Sequence, residues 1–364
     1  MKILVDGVAL SRAVAHVVRV FDKDQPLIRL TAGDDGLVIE ASGVESFSRA
    51  VVEGDLVEPD SVAVNGLWLS ALAAAMPAGE VSVSTAGAGL RLSGDGSRFD
   101  MGLAAEAMIS NPPHMPEVML DVDAADWESA VSSVAHAAAT QGEMQRTPVM
   151  EGAHLSGTLI EASNRFRAAR ATLPVELDAD VVVRADWLKA NMSGVESVGV
   201  EYAPDGSPRM FAVKAGMFCD MTTVIGGEFP HLDRVWPQRG DGMGLTFDRA
   251  ALLAAVKRLK TADFSKKTGK PVIFAPNEAD GTVLLSLTDG ESSTGGSQRL
   301  DADVVDVSEN RLALNAQYMI DALSSLTGER VELWTADGMQ RRLKPCLMYC
   351  EGDVSEQLVT PVRV

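Results

Sequence analysis

Three stretches of this chain repeat one another at intervals of roughly 120 residues, too long for a solenoid, whose repeats run about 20–50 residues. Gly36-Leu-Val-Ile-Glu-Ala-Ser42 recurs as Gly157-Thr-Leu-Ile-Glu-Ala-Ser163 and, more weakly, as Gly281-Thr-Val-Leu-Leu-Ser-Leu287. Each copy is a glycine followed by a short apolar run, the pattern of a strand leaving a turn. A second element recurs in phase: Val64-Asn-Gly-Leu-Trp68-Leu69, Val183-Arg-Ala-Asp-Trp187-Leu188 and Leu314-Asn-Ala-Gln-Tyr318-Met319. Each opens a helix-like stretch, followed by alternating strand patterns such as Val81-Ser-Val-Ser84. A third precedes both, since Ala9–Phe21, Asp126–Ala138 and Asp248–Lys260 align without gaps as amphipathic helices. Val14 then matches Val131 and Leu253, and Val17 matches Val134 and Val256. The expected fold class is therefore α+β, with three similar domains, each reading helix, strands, helix, strands. Proline-containing connectors at 110–116 and 230–237 set the expected boundaries, giving residues 1–116, 117–237 and 238–364.

Several function classes find no support. The chain of 364 residues has no apolar run long enough for a membrane span, and Asp6 and Arg12 interrupt the apolar N-terminus, so neither a membrane anchor nor a signal peptide is expected. Only three cysteines occur, which points to a reducing compartment and a cytoplasmic location. Cys346 and Cys350 stand four apart with no further Cys or His cluster to complete a zinc site. The five histidines, at 16, 114, 136, 154 and 231, make no metal or triad spacing. Gly87-Ala-Gly89 is followed by an alternating strand rather than a helix, so it reads as a hairpin and not a nucleotide loop. Thr268-Gly269-Lys270 lacks the upstream glycine of a phosphate loop. No enzyme activity, metal or cofactor is expected.

The net charge of −19 argues against a protein that grips a polyanion by its whole surface. It permits one that encircles a polyanion with a weakly basic lining, so the position of the cations decides. Leu10, Val14, Val17 and Phe21 form one apolar stripe of the first helix, while Arg12, His16, Arg19 and Lys23 keep the same spacing on another face. Arg19 aligns with His136 and Arg258 in the other repeats. From 249 to 270 the third repeat carries Arg249, Lys257, Arg258, Lys260, Lys266, Lys267 and Lys270 against a single acid, Asp263. The second repeat offers only Ser129, Ser133, His136 and Thr140 on the matching face.

With these features the chain resembles the sliding clamps (beta subunits) of bacterial DNA polymerase III over essentially its whole length. Ile160-Glu-Ala-Ser-Asn-Arg-Phe-Arg167-Ala-Ala resembles the family's ATDGHRLA segment. Val224-Ile-Gly-Gly-Glu-Phe-Pro230-His-Leu-Asp-Arg234-Val235 resembles its L-I-x-G-x-F-P-D-Y-x-R-V segment. Leu314-Asn315-Ala-Gln-Tyr318-Met-Ile-Asp321-Ala-Leu resembles its F-N-x-x-Y-L-x-D-A-L segment, and Val359-Thr-Pro361-Val-Arg363-Val364 its terminal M-P-M-R-L.

The resemblance implies a non-enzymatic DNA sliding clamp, a processivity factor working as a head-to-tail homodimeric ring with helices inside and sheets outside. Double-stranded DNA would be encircled without sequence preference, facing Arg12, Arg19, Lys23, Arg249, Lys257 and Arg258. DNA polymerase and clamp loader would dock short peptide motifs into a cleft between the second and third domains. By matching position that cleft would use Met150, Ser163, Arg167, Pro230, Arg234, Val235, Asn315, Tyr318, Val359, Pro361, Val362 and Arg363. The dimer contact would involve Phe99 and Met101 of the first domain and Thr261 and Ala262 of the third. This chain has Asn164-Arg165-Phe166 where the family has Asp-Gly-His, and Thr360 and Val362 where it favours methionine. The alternative is a clamp-fold interaction scaffold or decoy without DNA sliding.

Overall fold

The computed structural model describes residues 1–21, 26–105, 111–144, 146–240, 242–262, 271–287, 295–305, 312–335 and 344–362. The first repeat runs β1 (Lys2–Asp6), α1 (Gly7–Val17), β2 (Leu27–Gly33), β3 (Gly36–Ser42), β4 (Ser46–Val52), β5 (Gly54–Glu58), β6 (Asp60–Asn65), α2 (Gly66–Ala75), β7 (Glu80–Ala86), β8 (Gly89–Gly94) and β9 (Ser97–Ala104). The second runs β10 (Leu120–Asp121), α3 (Ala124–Ala135), β11 (Gly152–Ser163), β12 (Arg167–Arg184), α4 (Ala185–Ala190), β13 (Ser197–Tyr202), β14 (Pro208–Ala215) and β15 (Phe218–Thr223). The third runs β16 (Met243–Asp248), α5 (Arg249–Lys260), β17 (Pro271–Asn277), β18 (Thr282–Leu287), β19 (Gly296–Asp301), β20 (Asp303–Val305), β21 (Leu312–Asn315), α6 (Ala316–Ser325), β22 (Arg330–Thr335), β23 (Cys346–Tyr349) and β24 (Ser355–Val359). The helix–strands–helix–strands order read from the sequence thus recurs three times.

Local chemistry explains the repeated residues. Gly36, Gly157 and Gly281 all adopt positive φ, at +112°, +57° and +60°, where a side chain is strained. At Gly36 a Cβ would also lie 2.3 Å from the Val52 carbonyl oxygen. The helices open on side-chain caps: Asp6 accepts from the Ala9 amide at 2.8 Å, and Asp248 from the Ala251 amide at 2.7 Å. Asn65 and Asn315 cap α2 and α6 in the same way, whereas Arg184 before α4 makes no side-chain cap. The first helix begins two residues earlier than the sequence pattern predicts and stops at Val17, with Phe21 outside it but packed on the same core.

The chain forms two compact units. The first comprises Met1–Ala124 with Ser193–Val224, and the second Ala125–Met192 with Ile225–Val364. Compaction therefore divides the second repeat, whereas the expected boundaries follow the repeat itself. In the first unit one sheet runs in the order β10-β13-β14-β15-β4-β3-β2-β6-β9-β8-β7-β1-β5, and the Leu10, Val14 and Val17 stripe of α1 is fully buried in its core. The second unit holds a seven-stranded sheet, β11-β12-β24-β23-β22-β16-β20, and a four-stranded one, β19-β18-β17-β21. Its α5 buries Leu252, Ala255, Val256 and Leu259.

One topological rule recurs. In the first unit β4 of the first repeat pairs antiparallel with β15, the last strand of the second. In the second unit β12 of the second repeat pairs antiparallel with β24, the last strand of the third. The Gly87–Ala88 link is a hairpin turn, as the sequence predicts, with Ala86 opposite Gly89. Cys346 and Cys350 are buried free thiols pushed up to about 12 by burial, and among the described residues no cluster of three His, Cys, Asp or Glu could hold a metal. No described helix is long and apolar enough to cross a membrane.

Candidate partner-binding site

The turn between β11 and β12 organises the second unit's surface. Asn164 Oδ1 accepts from the amides of Phe166 and Arg167, both at 3.1 Å. Ser163 Oγ donates to the Arg167 carbonyl at 2.8 Å and accepts from the Arg165 amide at 3.1 Å. Arg165 sits at φ +75°, unusual for a side chain of its size, and donates to Thr147 Oγ1 at 2.6 Å. A turn bonded this closely to itself presents Phe166 outward, 55% exposed. The Phe166 carbonyl accepts from the Thr360 amide at 2.9 Å, and the Val362 amide donates to the Ala313 carbonyl at 2.8 Å. The end of the described chain is thereby stitched between this turn and β21.

On one face of that seam Arg167 donates to Asp321 at 2.5 Å, with its guanidinium 4.6 Å above the Tyr318 ring. The Tyr318 hydroxyl accepts from Asn164 Nδ2 at 3.5 Å. Asn315 spends its side-chain oxygen on the α6 cap, accepting from Gln317 and Tyr318 amides at 2.9 and 3.1 Å, rather than on a partner's backbone. On the other face Met150 is buried with Val149, Ala168, Leu358, Phe229 and Leu232. Pro230, Arg234 and Val235 are exposed on the connector above that cluster, which Arg170 anchors by lying 4.1 Å over Trp236 while pairing with Glu356.

The structure thus brings the described ones among these expected residues to one seam, with some of their side chains turned elsewhere. Strand alternation turns Val359 into the third repeat's core, fully buried, and gives the cluster its neighbour Leu358 instead. Leu358 and Ala168 are cluster members that sequence reasoning missed, whereas Phe166 stands in the segment that the resemblance marked as altered; the period-two pattern of Leu358-Val359 was the available signal. Pro361 is half-buried and Val362 is 40% exposed. Arg363 and Lys23 lie outside the described residues.

Two histidines flank the cluster with opposite electrostatics. His154 stacks on Phe229 at 5.1 Å and lies 3.1 Å from Glu161 and 3.0 Å from Asp180. Burial opposes its charge, but the hydrogen bonds to Glu161 and Asp180 and their negative charges together raise its pKa. His136, beside Gln357 at 3.2 Å, is pushed down to about 4 by burial and by the nearby Arg167 charge.

Among the expected basic residues Arg12 is exposed on α1 and Arg19 just past its end, and Lys257 and Arg258 are exposed on α5. Arg19 Nη2 lies 2.9 Å from His16 Nδ1, and His16 Nε2 lies 2.8 Å from buried Asp220, which also accepts from Ser48 at 2.5 Å. Arg249 differs: its guanidinium donates to the Gly328 and Leu323 carbonyls at 2.7 and 3.1 Å, so it ties α5 to the end of α6. The second repeat's counterpart, His136, is neutral at physiological pH.

At the expected contact strand, Phe99 packs half-buried on the first unit's core and Met101 is 7% exposed. β9 pairs with β8 along Ser97–Gly102 but reaches β6 only at Leu103 and Ala104, so one edge of Ser97–Gly102 has no partner among the described residues. Among the described residues β19 pairs only with β18 and likewise ends its sheet. Thr261 is exposed at the end of α5 and Ala262 packs on the second unit's core.

No protein-family model matches the chain. It is 23% identical over its full length, and over all of that protein, to the beta sliding clamp of Streptomyces coelicolor. A 151-residue stretch, 41% of this chain and 38% of the relative, is 26% identical to the beta sliding clamp of Staphylococcus aureus strain Mu50. Among solved structures, the DNA polymerase sliding clamp of Caulobacter crescentus superposes with a TM-score of 0.84 at 21% identity, and the DNA polymerase beta subunit of Streptococcus pyogenes with 0.85 at 16%, each with both chains fully covered. The resemblance read from the sequence holds, and the fold is that of the bacterial sliding clamps.

Proposed function

We propose that this chain is a DNA sliding clamp, a non-enzymatic processivity factor of three domains that closes head-to-tail with a second copy around duplex DNA. One observation carries the reading: the rule that joins successive repeats leaves two strand edges over. β4 meets β15 and β12 meets β24, whereas β19 of the third repeat and β9 of the first lack the corresponding neighbour among the described residues. A second copy supplies both. Pairing β19 of each copy with β9 of the other extends the rule to six repeats and consumes both open edges, which otherwise invite uncontrolled association. Phe99 and Met101 on β9 would then join Thr261 and Ala262 at the contact.

The repeat also gives the register. Arg49 faces Cys219 and Arg170 faces Glu356 at the two pairings within the chain. The equivalent positions of the third are Gln298 and Arg98. Arg98→Cys with Gln298→Cys, placed opposite each other, falls within disulfide reach. Oxidation is expected to yield covalent two-chain species of twice the 38.5 kDa mass, since the native thiols are buried. Failure to crosslink while both new thiols remain reactive would overturn the head-to-tail pairing.

In such a ring the helices would face DNA and the sheets the solvent. Arg12, Arg19, Lys257 and Arg258 would provide phosphate contacts loose enough for sliding, while the acidic remainder keeps DNA off the outside. Polymerase and loader peptides would dock at the seam, with apolar side chains entering between Met150, Leu358 and Val235 and an aromatic or leucine meeting Tyr318, Phe166 and Val362. The neutral His136 face favours the scaffold alternative; the exposed cations on α1 and α5 favour the clamp.

A further inference from the structure

We propose that a cavity of the first unit, beside β4 and β15, is a second peptide-docking site that takes a partner segment carrying an aromatic side chain beside a carboxylate. The site is distinct from the seam and needs one chain only. The internal repeat supplies its template. Pro113-His-Met-Pro-Glu-Val118-Met119 recurs without a gap as Pro230-His-Leu-Asp-Arg-Val235-Trp236. In the second unit Leu232 and Trp236 of this connector pack with Ala168 and Leu358. In the first unit Met115 and Met119 pack with Phe47 and Met221, which hold the corresponding sheet positions.

What differs is the ladder row next to the last connector side chain. In the second unit the Arg170 guanidinium lies 4.1 Å over the Trp236 ring, and Glu356 accepts from the indole Nε1 at 2.7 Å while pairing with Arg170 at 2.7 Å. The first unit keeps the arginine as Arg49 but has Cys219 in the place of Glu356 and Met119 in the place of Trp236. Burial pushes the Cys219 thiol up to about 11, so that place is neutral. Lys214 faces Cys219 from the other side, and the row reads Arg49, Cys219, Lys214. The carboxylate paired with Arg49, Glu40, is 4.0 Å away on the opposite strand. Two cations thus flank a place where the other repeat holds a carboxylate, and a thioether replaces the indole that closes the template. The result is an open cavity of about 900 Å³ whose apolar lining includes Val51, Met115, Met119 and Met217. Methionines adapt to a planar ring and contact it favourably through sulfur. The far end of the cavity decides between a peptide and a small aromatic acid. Glu53 stands four residues beyond Arg49, about 13 Å at the rise of a strand, with Asp35 and Asp6 lining the same end. A groove positive at one end and negative at the other complements an extended segment with an acid and a base about four residues apart. A small aromatic acid would use the positive end alone.

The test titrates the full chain, its methionine methyl groups isotope-labelled, with a short synthetic peptide reading aspartate, tryptophan, alanine, alanine, lysine and blocked at both ends. Single Met→Leu variants assign the methyl signals of Met115, Met119, Met217 and Met150. The expected result is a saturable shift of the Met115, Met119 and Met217 signals. Lys214→Glu, at an exposed position, should weaken binding about tenfold by turning an attractive charge into a repulsive one. Met119→Trp should close the cavity as Trp236 closes its own and abolish the shift of Met217, with the melting point of both variants checked against wild type. The wild-type shifts are independent of any folding defect in a variant. No saturable shift of these three signals, a shift confined to Met150, or equal affinity for wild type and a folded Lys214→Glu chain would overturn the site. Indole-3-acetate binding as tightly as the peptide would overturn the peptide as its occupant, since the acidic end would then contribute nothing.

Discussion

Arg167 shows how one side chain ties the start of β12 to α6. It is 14% exposed, pairs with Asp321 and covers the Tyr318 ring. Arg167→Ala is expected to cost about 1–3 kcal/mol of stability, since it removes a charge-assisted hydrogen bond and a cation–π contact. Affinity for a docked peptide should fall at least as far, measured by melting and by fluorescence anisotropy. The paired histidines give opposite pH windows. The raised pKa of His154 means that its contribution is complete below the unfolded value near 6.5 and lost as pH rises through the folded one. His154→Gln should therefore lose less stability than wild type on going from neutral to alkaline pH. His136 has its pKa depressed to about 4, so the unfolded chain takes up a proton first as pH falls. Stability of up to about 3 kcal/mol drains away between about 6.5 and about 4, and His136→Asn should resist that loss in melts at pH 7 and pH 5.

At the scale of elements, most of the architecture was legible because the repeat is written in residues with strict backbone demands. The positive φ at Gly36, Gly157 and Gly281, the caps at Asp6, Asn65, Asp248 and Asn315, and the buried Leu10-Val14-Val17 stripe each follow from local chemistry. The site was legible only in part. Resemblance named residues of which the described ones meet at one seam, but which of their side chains face outward depends on strand pairing between distant segments, which no local pattern states. The side of β24 that Val359 faces is set by its register against Arg167, and Asn315 is claimed by a helix cap. Arg249 reads as a free cation in sequence, and only the distant Gly328 and Leu323 carbonyls reveal it as a tie between helices. Deleting 360–364 removes the segment that meets Phe166 and β21 while leaving buried Val359 in place; partner-peptide binding should be abolished in a titration while sedimentation still reports the dimer.

At the scale of the whole molecule, encirclement would let a chain of net charge −19 hold DNA. Affinity for the outside of a duplex should be weak and steeply salt-dependent, and holding should come from topology. Charge reversal at Arg19 and Arg258 together should leave melting within about 1 kcal/mol of wild type, because both are surface positions. Retention on circular DNA should nevertheless fall sharply. The most direct measurement combines closure with DNA. The chain carrying Arg98→Cys and Gln298→Cys is mixed, reduced, with circular plasmid at low salt, oxidised, and washed at high salt. The account predicts protein that stays on the circle through the wash and leaves when the plasmid is cut once. Protein that washes off the intact circle after efficient crosslinking, or that stays equally on cut DNA, would contradict a ring that holds DNA by encircling it.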